Sequence, residues 1–213
     1  MHIASRVRSS RTAAFTAIAV VALVLLSSRI AWAGVPNCFV APPDPWPAVS
    51  PAPGREPIAC ALLSKVLLAS DETQIAWIPG AALNKTLELS TDAFPDAAYA
   101  IRFIVTPEFN AAFGGADSLV RFGSNDFDAR IGSWWTVLET VTDPAGHLKD
   151  GPSIAAELAL PATSVPKFEA AASAVRVGTA GYFGLVAPAF SQPGGGVQFW
   201  FPAEPVRSTA APF

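Results

Sequence analysis

Two segments of this chain combine residue types suited to a phosphorylated, ring-bearing ligand. The first, Arg121-Phe122-Gly123-Ser124, sets a cation beside an aromatic ring and a flexible glycine. A guanidinium offers a planar fork of donors that matches phosphate, and an aromatic face stacks on a flat heterocycle. The plainer reading is a strand-end arginine paired with Asp126 or Asp128. The second segment runs Gln192-Pro193-Gly194-Gly195-Gly196-Val197-Gln198-Phe199. Consecutive glycines are costly to order, and they serve where the backbone turns sharply or a ligand approaches closely. The strand that follows puts Gln198 and Trp200 on one face and Val197, Phe199 and Phe201 on the other. Gln198 can then reach into a cleft; the plainer reading is a hairpin loop with a solvated glutamine. Neither a helix nor a Lys-Ser/Thr pair follows the glycines, which excludes a Walker or Rossmann loop.

Other chemistry is scarce. Residues 1–33 read as a secretory leader. Arg6, Arg8 and Arg11 precede an apolar core from Ala13 to Leu26, and Ala31-Trp32-Ala33 forms a small-x-small cleavage site. The core is shorter than the roughly 20 apolar residues of a membrane span. Cleavage after Ala33 predicts a secreted or periplasmic protein with no stable membrane span. It also removes four arginines and no acid, so the 180 residues from Gly34 onward hold 10 basic and 17 acidic side chains, net −7. That balance argues against nucleic acid, which requires a basic surface. His147 becomes the only histidine and sits in the turn-like Asp143-Pro144-Ala145-Gly146-His147. Zinc sites built on several histidines are therefore excluded, and no metal is expected. Cys38 and Cys60 would form one disulfide in an oxidising compartment. A nucleophilic cysteine would need a nearby base, and none is close in sequence.

Positioning these residues falls to an α+β domain. Low charge (15%) and 51% hydrophobic residues exclude disorder, and 20 prolines exclude a long coiled coil. Residues 34–60 form a proline-rich arm, with eight prolines between positions 36 and 57, that the disulfide would pin to the body. Residues 61–213 form a single domain. Helices are expected over 58–69, 107–113 and 154–158. Strands are expected over 74–78, 86–89, 99–105, 119–122, 134–141, 175–177, 182–186 and 197–201. Without regular strand-helix alternation, a compact, mainly antiparallel sheet with a few short helices fits best.

The order of the motifs adds a resemblance. Arg-Phe-Gly-Ser is followed by Gly132-Ser133-Trp134-Trp135-Thr136, then Leu158-Ala159-Leu160-Pro161. Val186-Ala187-Pro188-Ala189-Phe190-Ser191 then leads into the glycine-rich segment. From about 119 to 202 this resembles the tuberculosis-necrotizing-toxin-like NAD glycohydrolases, secreted bacterial toxins and fungal surface enzymes. The resemblance implies an ADP-ribosyltransferase-related fold and hydrolysis of NAD to nicotinamide and ADP-ribose, with NAD as substrate and no cofactor. A toxin or effector would have a cognate immunity protein as a partner. The resemblance makes Arg121 and Gln198 the catalytic pair. Phe122, Gly123, Trp134, Trp135, Gly194, Gly195 and Gly196 become the substrate-binding residues. One departure stands out: the family places an arginine before Ala-Leu-Pro, where this chain has Leu158. That departure motivates the alternative of a catalytically inactive exported nucleotide-binding or envelope-interaction domain.

The chemistry agrees with a site poor in acids and bases. Nicotinamide bonded to ribose leaves as a neutral base from a cation, so no general acid is required. The transition state is oxocarbenium-like, as in glycoside hydrolysis. Arg121 would clamp the pyrophosphate, Phe122 and Trp134 would form walls, and Gln198 would position the ribose or water. Asp126, Asp128 or Glu139 could stabilise the developing cation.

Overall fold

A computed structural model describes residues 37–40, 58–89, 92–113, 119–125, 132–202, 206–207 and 211–213. The leader and most of the proline-rich arm lie outside the described residues, as do Asp126 and Asp128. The domain is α+β. Seven antiparallel strands of four residues or more form its sheet: β1 (Ala76–Pro79), β2 (Tyr99–Ile104), β3 (Leu119–Gly123), β4 (Trp134–Val137), β5 (Phe168–Ala174), β6 (Ala180–Leu185) and β7 (Val197–Trp200). Two-residue strands β8 (Val206–Arg207) and β9 (Ala211–Pro212) both pair with β5. The order across the sheet is β1-β2-β6-β7-β4-β3-β5-β8. Helices α1 (Ile58–Leu68), α2 (Gly80–Thr86), α3 (Pro107–Phe113) and α4 (Gly151–Glu157) are short. None of the described helices is long and apolar enough to cross a membrane.

One face of the sheet holds a phenylalanine-rich core. Phe103, Phe183 and Phe199 of β2, β6 and β7, with Phe201 just after β7, cluster with Phe109 and Phe113 of α3 and Leu62, Leu63 and Val66 of α1. Ring centroids lie as close as 4.7 Å for Phe183–Phe199 and 4.9 Å for Phe109–Phe113. α3 begins at Pro107, whose missing N–H is no loss in a first turn. The Thr106 hydroxyl accepts from Phe109 N at 3.0 Å and donates to Ala69 O, which ties α3 to the end of α1. The Cys38–Cys60 disulfide is formed, fastening the 3-10 turn at Asn37–Phe39 to α1. In the chain-entropy model a loop of this length contributes about 3 kcal/mol. Ile58 to Cys60 belong to α1, so the proline-rich arm ends before them.

Two expected strands are absent. Residues 86–89 form the last residue of α2 and the turn after it, where Leu87 N bonds to Leu83 O. The apolar residues there read as strand because a seven-residue helix shows barely two turns of period. Residues 175–177 follow the true strand β5, Phe-Glu-Ala-Ala-Ala-Ser-Ala, whose alanines carry little strand propensity. Sheet pairing selects that segment regardless. The expected strand over 134–141 stops at Val137 and continues as a 3-10 turn, Leu138–Thr140.

Candidate functional site

Strand β4 is shared unevenly between its neighbours. Its first half, Trp134 and Trp135, pairs with Trp200 and Phe199 of β7. Its second half, Thr136 and Val137, pairs with Val120 and Leu119 of β3. The sheet therefore opens between the end of β3 and the start of β7, and a cleft of about 580 Å³ lies there. That volume falls in the range of small-molecule sites.

Arg121 follows the last residue of β3 that pairs with β4. Its side chain takes over from the lost ladder: Nη1 donates to Trp134 O at 2.8 Å. Gly132 makes this reach possible, because a Cβ there would lie 2.5 Å from the Arg121 Nη2. Arg121 lines the cleft, and it is the only cation among the described lining residues. Gln198 lines the same cleft from β7 and is buried. Its Nε2 donates to Ala93 O at 2.7 Å and to Leu185 O at 3.1 Å, so both amide protons are used by the main chain. The arrangement orients the side chain and leaves Oε1 to act as an acceptor. Ala93 is itself fixed. Asn84 of α2 clamps the next residue, donating to Phe94 O at 2.8 Å and accepting from Phe94 N at 3.0 Å. Asn84 opens an Asn-Lys-Thr glycosylation sequon, but it is buried in this clamp.

The aromatic candidates divide. Trp134 is half-buried at the cleft, tilted against Phe94 at 5.8 Å and edge-on to Trp200 at 6.5 Å. Trp135 is almost fully buried in the phenylalanine-rich core, and its Nε1 donates to Gly132 O. Phe122 borders the cleft with Gly123, but its ring packs with Val120, Val141 and Ile154 and meets Phe213 edge-on at 5.5 Å. Trp134 is thus the more open of the three rings.

Gly194, Gly195 and Gly196 lie outside the cleft lining, and their amides are committed to the protein. Gly194 N donates to Ala156 O at 3.0 Å, and Gly196 N donates to Glu157 O at 3.1 Å. These carbonyls end α4, so the glycines cap a helix from outside its own chain segment. Gly195 N donates to Val186 O at 2.9 Å, and Val186 N returns a bond to Gly196 O. The segment seats β7 and, with it, Gln198.

Carboxylates are sparse. Glu139 does not line the cleft; it is half exposed and lies 3.8 Å from Lys65. Asp92 does line it and is exposed, although nothing in its sequence context marks it. Leu158 lines the cleft, directly after the α4 carbonyl that receives Gly196 N. His147 is solvated in its turn, far from a buried role, with Asp143 accepting from the backbone N–H groups of Ala145 and His147. These bonds, His147 N–H first, hold the Asp143 carboxyl below its ordinary value. Among the described residues, no group of three His, Cys, Asp or Glu side chains comes together. No family model matches the chain, and no curated protein or solved structure matches it either.

Proposed function

We propose that the cleft binds NAD and hydrolyses the bond between nicotinamide and ribose, releasing ADP-ribose. The observation that carries this reading is that Arg121 and Gln198, from strands far apart in sequence, line one cleft. Arg121 supplies positive charge for the pyrophosphate, and Trp134 supplies a half-open aromatic wall. Gln198, held by Ala93 O and Leu185 O, accepts from a ribose hydroxyl or the attacking water. Asp92 is the carboxylate placed to favour the oxocarbenium-like charge. On this reading the domain is related to ADP-ribosyltransferases and acts after export as a toxin or effector. A cognate immunity protein that covers the cleft would protect the producing cell.

The test is turnover of etheno-NAD by the protein, beside Gln198→Ala and Arg121→Gln. Gln198→Ala should lower kcat by about 100-fold, the usual cost of losing one positioned polar group. Because that change also strands two carbonyls, a thermal melt accompanies it, and a folded but inactive variant supports the reading. A wild-type protein without turnover at high concentration overturns it. Leu158 favours a second reading, nucleotide binding without catalysis, because it puts an apolar side chain at the cleft where the resemblance expects a cation. Calorimetric binding of ADP-ribose together with absent hydrolysis would select that reading.

A further inference from the structure

Phe190 combines three features that occur together at no other aromatic residue among those described. It is 52% exposed. It lines the cleft. Its backbone lies at φ 51°, and that of Ser191 at φ 63°. Ala189 and Gln192 exchange both backbone hydrogen bonds, Gln192 N to Ala189 O at 2.8 Å and Ala189 N to Gln192 O at 3.2 Å. The turn between them is a two-residue hairpin loop with both central residues left-handed, the type that selects asparagine or glycine. A phenylalanine in that conformation is strained. Burial does not compensate for the strain, because about half of the residue is exposed.

We infer that Phe190 is a stacking residue, which covers a planar heteroaromatic ring of the ligand at the mouth of the cleft. A rigid aromatic side chain on a two-residue hairpin presents its face with little entropy to lose. A base stacked on it would cover the apolar surface that is exposed without ligand. The strain then has a reason: the turn keeps the ring at the mouth instead of letting it fold into the core. This inference rests on reading the cleft as a nucleotide site, and it does not depend on hydrolysis. NAD carries two such rings, adenine and nicotinamide, and two probes separate them.

The experiment is calorimetric titration of the protein with AMP and with nicotinamide mononucleotide. The wild type is compared with Phe190→Ala, Phe190→Trp and Phe190→Asn, each also followed by thermal melting. Phe190→Ala should weaken one probe about tenfold, and Phe190→Trp should bind it within about threefold of the wild type. Loss confined to AMP identifies adenine as the stacked ring, and loss confined to the mononucleotide identifies nicotinamide. Phe190→Asn should raise Tm by about 2 °C while weakening binding, because asparagine relieves the left-handed strain and removes the ring. Unchanged affinity for both probes in Phe190→Ala overturns the inference. So does a fall in Tm in both Phe190→Ala and Phe190→Asn, which would make the ring a packing element. If the wild type binds a probe but does not hydrolyse NAD, only the hydrolase reading fails. If it binds neither probe, the stacking role fails too.

Discussion

Between β6 and β7 the chain passes twice through left-handed backbone, and the two passages use opposite residues. At Gly194 and Gly195, with φ of 65° and 92°, the residues are glycines and the backbone is packed against Val186 and the end of α4. At Phe190 and Ser191 the residues carry side chains, and the turn projects to the mouth of the cleft. Where the conformation serves packing, the side chain has been removed. Where a bulky side chain persists in that conformation, its presence needs an explanation outside the fold. The glycine-rich segment is therefore the half of this loop packed into the fold, and the phenylalanine turn is the half at the mouth of the cleft.

The sharpest way to break that contrast is to put a methyl group on each glycine. A Cβ at Gly194 would lie 2.7 Å from Val186 O and 2.8 Å from Ala187 O, backbone atoms that cannot rotate away. Left-handed strain adds to the clash. Gly194→Ala should cost about 3 kcal/mol or more, a fall in Tm of roughly 6–12 °C for a domain of this size. A Cβ at Gly195 meets nothing within 4 Å, so Gly195→Ala should cost about 1–2 kcal/mol from conformation alone. Equal losses in the two melts would show that conformation, not close packing on Val186 and Ala187, sets the glycines.

A smaller effect probes the ligand side of the same contact. Leu158 Cδ2 lies 3.5 Å from where a Gly196 Cβ would sit, and the leucine also lines the cleft. Leu158→Arg adds a second cation there and leaves the amide bonds to α4 untouched. ADP-ribose should bind about tenfold tighter by calorimetry, in line with one charge-assisted hydrogen-bonded contact. Weaker binding in a variant with an unchanged melt would mean that the pyrophosphate does not lie beside Leu158.

The sequence made these two halves unequally legible. Segments with a clear apolar pattern or a clear start signal, such as β2 at Tyr99–Ile104 and α3 at Pro107–Phe113, stand where that pattern and the leading proline put them. The alternation of β7 also holds: Val197, Phe199 and Phe201 enter the phenylalanine-rich core, and Trp200 packs on the opposite side. α2 and β5 were obscured because a short helix that opens on Gly80 without a side-chain cap and an alanine-rich strand depend on neighbours that local propensity does not encode. Arg121 and Gln198 could be picked out by residue type and line one cleft. Asp92 and the Asn84 clamp could not, because only the meeting of α2, β6 and β7 brings Asp92 to the cleft and Asn84 onto Phe94. The glycines were conspicuous in sequence for a reason that was easy to misassign. A run of glycines admits a ligand and admits a helix end equally well, and the distinction lies in what occupies their N–H groups.

The smallest effect lies at the far end of α4. Asp150 caps its first turn by accepting from Ser153 N at 2.9 Å, while the glycines hold its last carbonyls. Bonds from Ser153, its side chain first and then its backbone N–H, lower the Asp150 carboxyl below its ordinary value of 3.8. A lowered folded-state value means that the cap stabilises fully above the ordinary value. The contribution is lost as pH falls from 3.8 through the folded-state value. The glycine contacts run to main-chain carbonyls and do not depend on the Asp150 charge, so loss of the cap should loosen the N-terminal end of the helix and leave those contacts in place. Melts of the wild type and Asp150→Ala should therefore differ most near neutral pH and converge in that acidic window, with Gly194→Ala remaining separated from both. A difference between wild type and Asp150→Ala that persists unchanged below that window would show that Asp150 acts through side-chain packing and not through its charge at the helix start.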